Sequence, residues 1–260
     1  MKSKLIIVLL LVISLAPLIG LIGPGITDAH DSVSHVVRTA SFYQSLTEGN
    51  LIPRWSQTLN YGYGHPILMF LYPLPSYFAA LFHFLGFSFI LSVKLVMALS
   101  FALAGFFAFL WFKEIFGIWP AVVGAAMFQL APYRFVNLYV RNAYGENMAT
   151  LFIPLILWLI TKLIRQPSQK YLVFTSLAWA GLFLSHNAVS LMILPVIGIY
   201  SLWLIINSKS KFPAAVYLAI SGLLGLGLSA FFWLPAFVEG KYTLRDIVTA
   251  GDAFAAHFPS

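Results

Sequence analysis

The sequence predicts an all-α protein, a polytopic bundle of transmembrane helices, and three observations predict it. Apolar residues make up 60% of the chain and charged residues only 9%, with a mean hydropathy of +0.89. The apolar residues gather into successive runs of the ~20 residues that cross a bilayer as a helix. Short loops between the runs carry much of the lysine and arginine, a pattern that sets membrane orientation. The net charge of +7 is therefore read as a topology signal, and nucleic acid is set aside as a partner. The absence of cysteine excludes disulfides, thiolate metal sites and cysteine nucleophiles.

The first run, residues 5–21, follows Lys2 and Lys4. It is long for the apolar part of a signal peptide and lacks a clear cleavage site, so it reads as an uncleaved signal anchor with its N-terminus inside. An outer loop over 24–87 follows, then spans at 88–112, 118–136, 147–165, 170–186, 188–206 and 213–235, and an outer segment over 236–260. One stretch, PILMFLYPLPSYFAALFHFLG at 66–86, is as apolar as the spans, yet Pro66, Pro73, Pro75 and His83 suit a re-entrant or interfacial path. If it crossed, Lys113, Lys162, Arg165, Lys170, Lys209 and Lys211 would all face outward, against the positive-inside bias. If it does not, those residues join Lys2 and Lys4 on the cytoplasmic side against Glu114 alone, and acids balance bases outside. The expectation is a single domain over 1–260 with seven spans in the plasma membrane. The polar clusters at 28–65, 134–147, 185–187 and 233–257 then share the extracytoplasmic face.

Between Ala29 and Glu48, Val33, Val36, Val37, Ala40, Phe42 and Leu46 recur at helical spacing, and Glu48-Gly49-Asn50 supplies a stop. On that helix Asp31, His35 and Arg38 stand at i, i+4 and i+7, which points a carboxylate, an imidazole and a guanidinium the same way. The same spacing also describes a solvated face with an Asp31–Arg38 pair worth under ~1 kcal/mol, and Asp28 suits a helix cap. Arg54 beside Trp55 suits either an anionic headgroup or an ordinary interfacial anchor, and Gly62 and Gly64 permit tight turns. In the second polar cluster, YRFVNLYVRNAYGEN at 133–147, Arg141 and Glu146 are candidate ligands or simply the cap of the next helix. His186, at the outer end of the fifth run, suits either a site or helix packing.

These motifs carry a resemblance. Asp31-x3-His35-x2-Arg38, then GNLIPRW at 49–55, Gly62-x-Gly64-x-Pro66 and Tyr72-Pro73-x-Pro75-x-Tyr77 resemble the first outer loop of GT-C fold glycosyltransferases. The nearest likeness is to the bacterial and archaeal group labelled pyruvoyl-tetrahydropterin-synthase-related membrane proteins, with a more distant one to the oligosaccharyltransferase catalytic subunit. The resemblance implies transfer of a sugar from a polyprenyl-phosphate donor, held with the membrane lipid, to an extracytoplasmic acceptor. It implies Asp31 and Glu146 as the catalytic acids, with His35, Arg38, Arg54, Arg141 and His186 binding substrate. Arginines suit a phosphate because their planar fork engages two oxygens. The cofactor stays open: Gly145 stands where the oligosaccharyltransferase pattern has a further acid, which counts against a tightly held metal, while Asp31 and Glu146, one from each loop, could still hold Mg2+ or Mn2+ loosely with waters and a phosphate. Relatives continue past the length seen here, so the chain is expected to be the N-terminal part of a longer protein.

Two rival functions remain at this level. A transporter or lipid flippase would carry charges at mid-membrane and paired discontinuous helices, while the runs here are almost bare of charge. A non-catalytic assembly partner would keep the fold without the activity.

Overall fold

The computed structural model describes residues 2–26 and 28–243; the outer segment expected over 236–260 lies outside the described residues beyond Thr243. Among the described residues the chain is helical, without strands beyond one antiparallel bridge between Ser56 and His65. Helix α1 (Lys2–Leu15) continues into a 3-10 segment, Ala16–Leu21. The loop that follows carries α2 (Ser32–Thr47), α3 (Ile67–Phe70) and α4 (Leu74–Phe84). The bundle proper is α5 (Phe89–Phe116), α6 (Ile118–Gln129), α7 (Pro132–Phe135) with a π-helical turn at Val136–Val140, α8 (Tyr144–Arg165), α9 (Gln169–Phe183), α10 (Asn187–Ile206) and α11 (Lys211–Glu239).

Four of these helices, α5, α8, α10 and α11, are long and apolar enough to cross a membrane. The chain is an integral membrane protein. The stretch at 66–86 breaks into α3 and α4, and the 11 residues of α4 reach about 16 Å at 1.5 Å per residue, short of a ~30 Å hydrocarbon core.

Helices α5 and α8 form the centre and run in the same direction. At one end Asn147 Nδ2 donates to the Met97 carbonyl at 2.8 Å; at the other, Lys162 pairs with Glu114 at 2.6 Å and Arg165 donates to the Glu114 carbonyl at 2.9 Å. Lys113, Lys162 and Arg165 thus lie with Glu114 at one end of the bundle, and the polar loops collect at the other. Caps set several boundaries. Ser88 accepts from the Leu91 amide at the start of α5 and Ser168 from the Tyr171 amide at the start of α9. Gly117, at φ +84°, ends α5 in a conformation that other residues rarely adopt.

The return pass between α5 and α8 is broken rather than continuous over 118–136. Pro132 pushes Ala131 into an extended conformation, so α6 stops after 12 residues, about 18 Å. The break is fastened to α5. Gln129 Nε2 and Arg134 Nη2 both donate to the Phe101 carbonyl, at 2.7 and 3.2 Å, and the Arg134 guanidinium lies over the rings of Phe101 and Phe128. Arg134, read from sequence as part of an outer loop, is 7% exposed and sits about halfway along α5. A polar pair inside an apolar run is invisible to averaged hydropathy.

Helix α9 packs between α8 and α11 through small residues, as interfaces within a membrane do. A Cβ at Gly225 of α11 would stand 2.3 Å from Trp179 Cβ on α9, whereas one at Gly222 meets nothing within 4 Å. We predict that Gly225→Ala lowers stability by about 1–3 kcal/mol while Gly222→Ala does not, as measured by thermal unfolding in one lipid environment.

Candidate active site

Two loops distant in sequence are joined backbone to backbone. The amides of His30 and Asp31 donate to the carbonyls of Val140 and Arg141, at 3.1 and 3.2 Å, and Asn142 Nδ2 donates to Ser32 Oγ at 2.8 Å. Asn142 adopts φ +52°, a left-handed turn that asparagine tolerates better than most residues, between the π-helical turn and α8. This seam places the start of α2 beside the start of α8.

Asp31 holds the N-cap position of α2 but makes no side-chain cap bond, and its residue is exposed. Asp28, expected as a cap, lies outside the helix. Among the described residues Asp31 and Arg38 form no ion pair with each other or with any other group. His35 departs from the shared outward face: it is 4% exposed, its ring lies 5.0 Å from that of Tyr144, and its Nε2 has no partner. Burial, then the nearby Arg38 charge, lowers its pKa to about 4, against smaller opposing effects of Asp31 and the Asn142 backbone.

Glu146, in the first turn of α8, is held by three donors. Oε1 pairs with Arg141 Nη2 at 2.6 Å, while Oε2 accepts from the Tyr133 hydroxyl at 2.9 Å and Asn137 Nδ2 at 3.1 Å. Arg141 Nη1 donates in turn to the Tyr133 hydroxyl and to Asn137 Oδ1, both at 2.9 Å. This closed network fixes the Arg141 guanidinium while leaving part of it exposed. Its members on the π-helical turn and α7 explain why Arg141 reaches back towards α8.

Tyr72 stands between the two groups. Its ring lies where a side chain at Gly145 would be, so that a Cβ there would fall 2.2 Å from Tyr72 Cε2 and 2.5 Å from the Ser185 carbonyl. Position 145 therefore accepts no acidic side chain unless Tyr72 and the Ser185 backbone move. On the other side Tyr72 packs on His186, 4.9 Å between ring centroids, while the Leu74 amide donates to the Leu184 carbonyl at 3.0 Å. Burial raises the Tyr72 pKa, and Asp31, Arg38 and Glu146 are all close enough for their charges to act on it. His186 Nδ1 caps α10 by accepting from the Val189 amide at 3.2 Å; burial lowers its pKa, and Glu146 and Arg141 lie within electrostatic reach.

Six of the seven candidate residues thus gather around Tyr72: Asp31, His35, Arg38, Arg141, Glu146 and His186. Arg54 does not. It reaches the other flank of the loop and donates to the Phe231 carbonyl of α11 at 3.3 Å. Tyr72, Tyr133, Asn137 and Asn142 were not singled out from sequence, although Tyr72 lay inside the quoted Tyr-Pro motif. A Mg2+ or Mn2+ finds no ready-made cage of protein ligands among these residues. Both Glu146 oxygens are engaged by donors, one of them a guanidinium, and no three His, Asp or Glu side chains gather at one point among the described residues. Mg2+ commonly takes one or two carboxylates and completes its shell with waters and a substrate phosphate.

A family model described as dolichyl-phosphate-mannose-protein mannosyltransferase matches residues 65–233. That range holds Tyr72, Arg141, Glu146 and His186 and leaves out Asp31. An "Uncharacterized protein" of Lactococcus lactis subsp. cremoris (strain MG1363) is 27% identical over 230 residues, covering 84% of this chain and 37% of the relative. The chain thus spans well under half the length of that relative. No solved structure matches.

Two outcomes follow from the packing. His35 is neutral when buried and titrates at 6.5 when unfolded, so the unfolded state binds more protons between pH 6.5 and about 4. Stability should fall as pH drops through that window, by on the order of 3 kcal/mol at most, and His35→Gln should flatten the decline in a pH series of unfolding temperatures. Gly145→Ala should lose folded protein outright, because the Ser185 carbonyl is backbone and cannot swing aside; yield after purification by size exclusion checks this.

Proposed function

We propose, from the premise that this chain belongs to the dolichyl-phosphate-mannose-protein mannosyltransferase family and with it to the GT-C superfamily, that it is the site-bearing part of a membrane glycosyltransferase. Its donor is a sugar carried on a polyprenyl phosphate, and its acceptor lies on the side of the membrane where the polar loops gather. The seven-crossing arrangement with the lysine-rich end in the cytoplasm goes with this reading, as does the likeness of the first loop to the pyruvoyl-tetrahydropterin-synthase-related group.

The observation that carries the proposal is the seam, which sets an unpaired carboxylate, Asp31, against a pre-oriented arginine, Arg141. Asp31 acts as general base. It takes the proton of an acceptor hydroxyl as the acceptor oxygen bonds to the anomeric carbon, and the bond from that carbon to the phosphate oxygen breaks with its electron pair leaving on the phosphate. Displacement from the opposite face inverts the centre. Of the two arginines at the site, Arg38 carries no ion pair among the described residues and offers a whole charge to the phosphate. Arg141 is neutralised by Glu146, so it orients the phosphate through hydrogen bonds and contributes less charge. Glu146 is a positioning residue for Arg141. Burial removes His35 from contact with substrate and leaves it as support under Asp31 and Arg38.

The transporter reading gains one observation, the broken pass with buried Arg134. Among the described residues no acid pairs with that arginine.

Sugar transfer from polyprenyl-phosphate sugars by the purified protein in lipid tests the proposal. Asp31→Asn should cut turnover by roughly 100-fold or more with donor binding kept, and Arg38→Gln should weaken donor binding more than turnover. Turnover unchanged in Asp31→Asn would remove it from the chemistry; no transfer by the unaltered protein on any donor would sink the transferase reading.

A further inference from the structure

Away from the site, a groove of about 640 Å3 opens between the first helical segment and α5. Its walls are hydrocarbon, from Leu15, Leu18, Leu91 and Leu95 among others, and Lys94 is the one charged residue lining it. Lys94 Nζ donates to the Gly23 carbonyl at 2.7 Å, which holds the ammonium at the groove. That carbonyl is neutral, no carboxylate lines the groove, and Lys94 makes no ion pair among the described residues. Lys94 stands in the second turn of α5, near the end of that apolar helix, where an ammonium without a counter-charge suits the phosphate of a lipid whose tail lies along the groove.

We propose that this groove binds one anionic phospholipid, its acyl chain along the leucines and its phosphate on Lys94. The sugar donor is a poorer occupant. Beyond Lys94 the groove narrows to a cleft that ends at Ser32 and Asn142. Those two side chains are bonded to each other, and the backbone pairs at 30–31 and 140–141 lie alongside, so the way to Arg141 and Glu146 is closed. The phospholipid is a structural ligand: it joins α5 to the residue 22–25 turn and so steadies the chain that leads into the seam. None of this depends on the transferase reading.

The test compares the protein in phosphatidylcholine nanodiscs with and without phosphatidylglycerol, by thermal unfolding and by native mass spectrometry of retained lipid. Phosphatidylglycerol should raise the unfolding temperature and remain as one bound copy. Both effects should disappear in Lys94→Gln, persist in Lys94→Arg, and disappear in Gly23→Phe, which fills the groove from a position where an added Cβ meets nothing within 4 Å. No shift in the unaltered protein, or a full shift kept by both Lys94→Gln and Gly23→Phe, overturns the proposal. Displacement of phosphatidylglycerol by undecaprenyl phosphate at equal concentration also overturns it, by assigning the groove to a polyprenyl lipid.

Discussion

The arrangement of the polar end depends on three hydrogen bonds between residues 30–32 and 140–142. The later part of the first loop has its own hydrogen bonds to the bundle, from Arg54 to the Phe231 carbonyl and from the Leu74 amide to the Leu184 carbonyl, but without the seam the start of α2 would rest mainly on apolar contacts, which fix orientation poorly. Backbone pairing is directional, and here it links two positions each of which leads straight into a helix: Asp31 into α2, and Asn142 through Ala143 into α8. The seam therefore fixes the relative rotation of two helix starts. Both candidate acids sit at those starts, one on each side.

The seam in turn needs the second loop to arrive at the right height. A continuous helix after Gly117 would carry residues 130–142 along a straight axis; the break at Ala131 and the π-helical turn shift the chain sideways before it reaches Arg141. Gln129 and Arg134 bind the same carbonyl of α5 at this break, and Gly105 makes room for Gln129, since a Cβ there would meet its side chain at 2.9 Å. The buried Arg134 has no acid beside it; two aromatic faces and one carbonyl meet its charge, while its Nε and Nη1 have no hydrogen-bond partner. Its place beside the break gives the cost a purpose.

Much of this fold was legible in the sequence, and the illegible parts share a cause. Hydropathy located the long helices, and the lysine count indicated that 66–86 need not cross; those signals are local and survive averaging. The break at Ala131 was signalled by Pro132, but the surrounding run was apolar enough to read as one span. The i, i+4, i+7 spacing puts Asp31, His35 and Arg38 on one outward face, but the helix starts one residue after Asp31 and its inner line runs through His35 onto Tyr144, so His35 is buried while Asp31 is exposed. No spacing rule could have supplied Tyr144, more than a hundred residues away. The same holds for Tyr72 against Gly145: a missing side chain at one position and a ring at another become a single fact only when the chain is folded.

Charge accounting at the folded site then separates residues that composition treats alike. Two acids and two arginines meet there, and the pairing is unequal: Glu146 and Arg141 neutralise one another at 2.6 Å inside a network with Tyr133 and Asn137, while Asp31 and Arg38 stay unpaired. A closed pair is rigid and electrically quiet, suited to orienting whatever approaches it. An unpaired carboxylate and an unpaired guanidinium retain their full capacity to accept a proton and to meet an anion. On the proposed reading, transfer of a sugar off a phosphate draws on one group of each kind. On that reading positioning falls to the second loop and chemistry to the first, with Tyr72 between them.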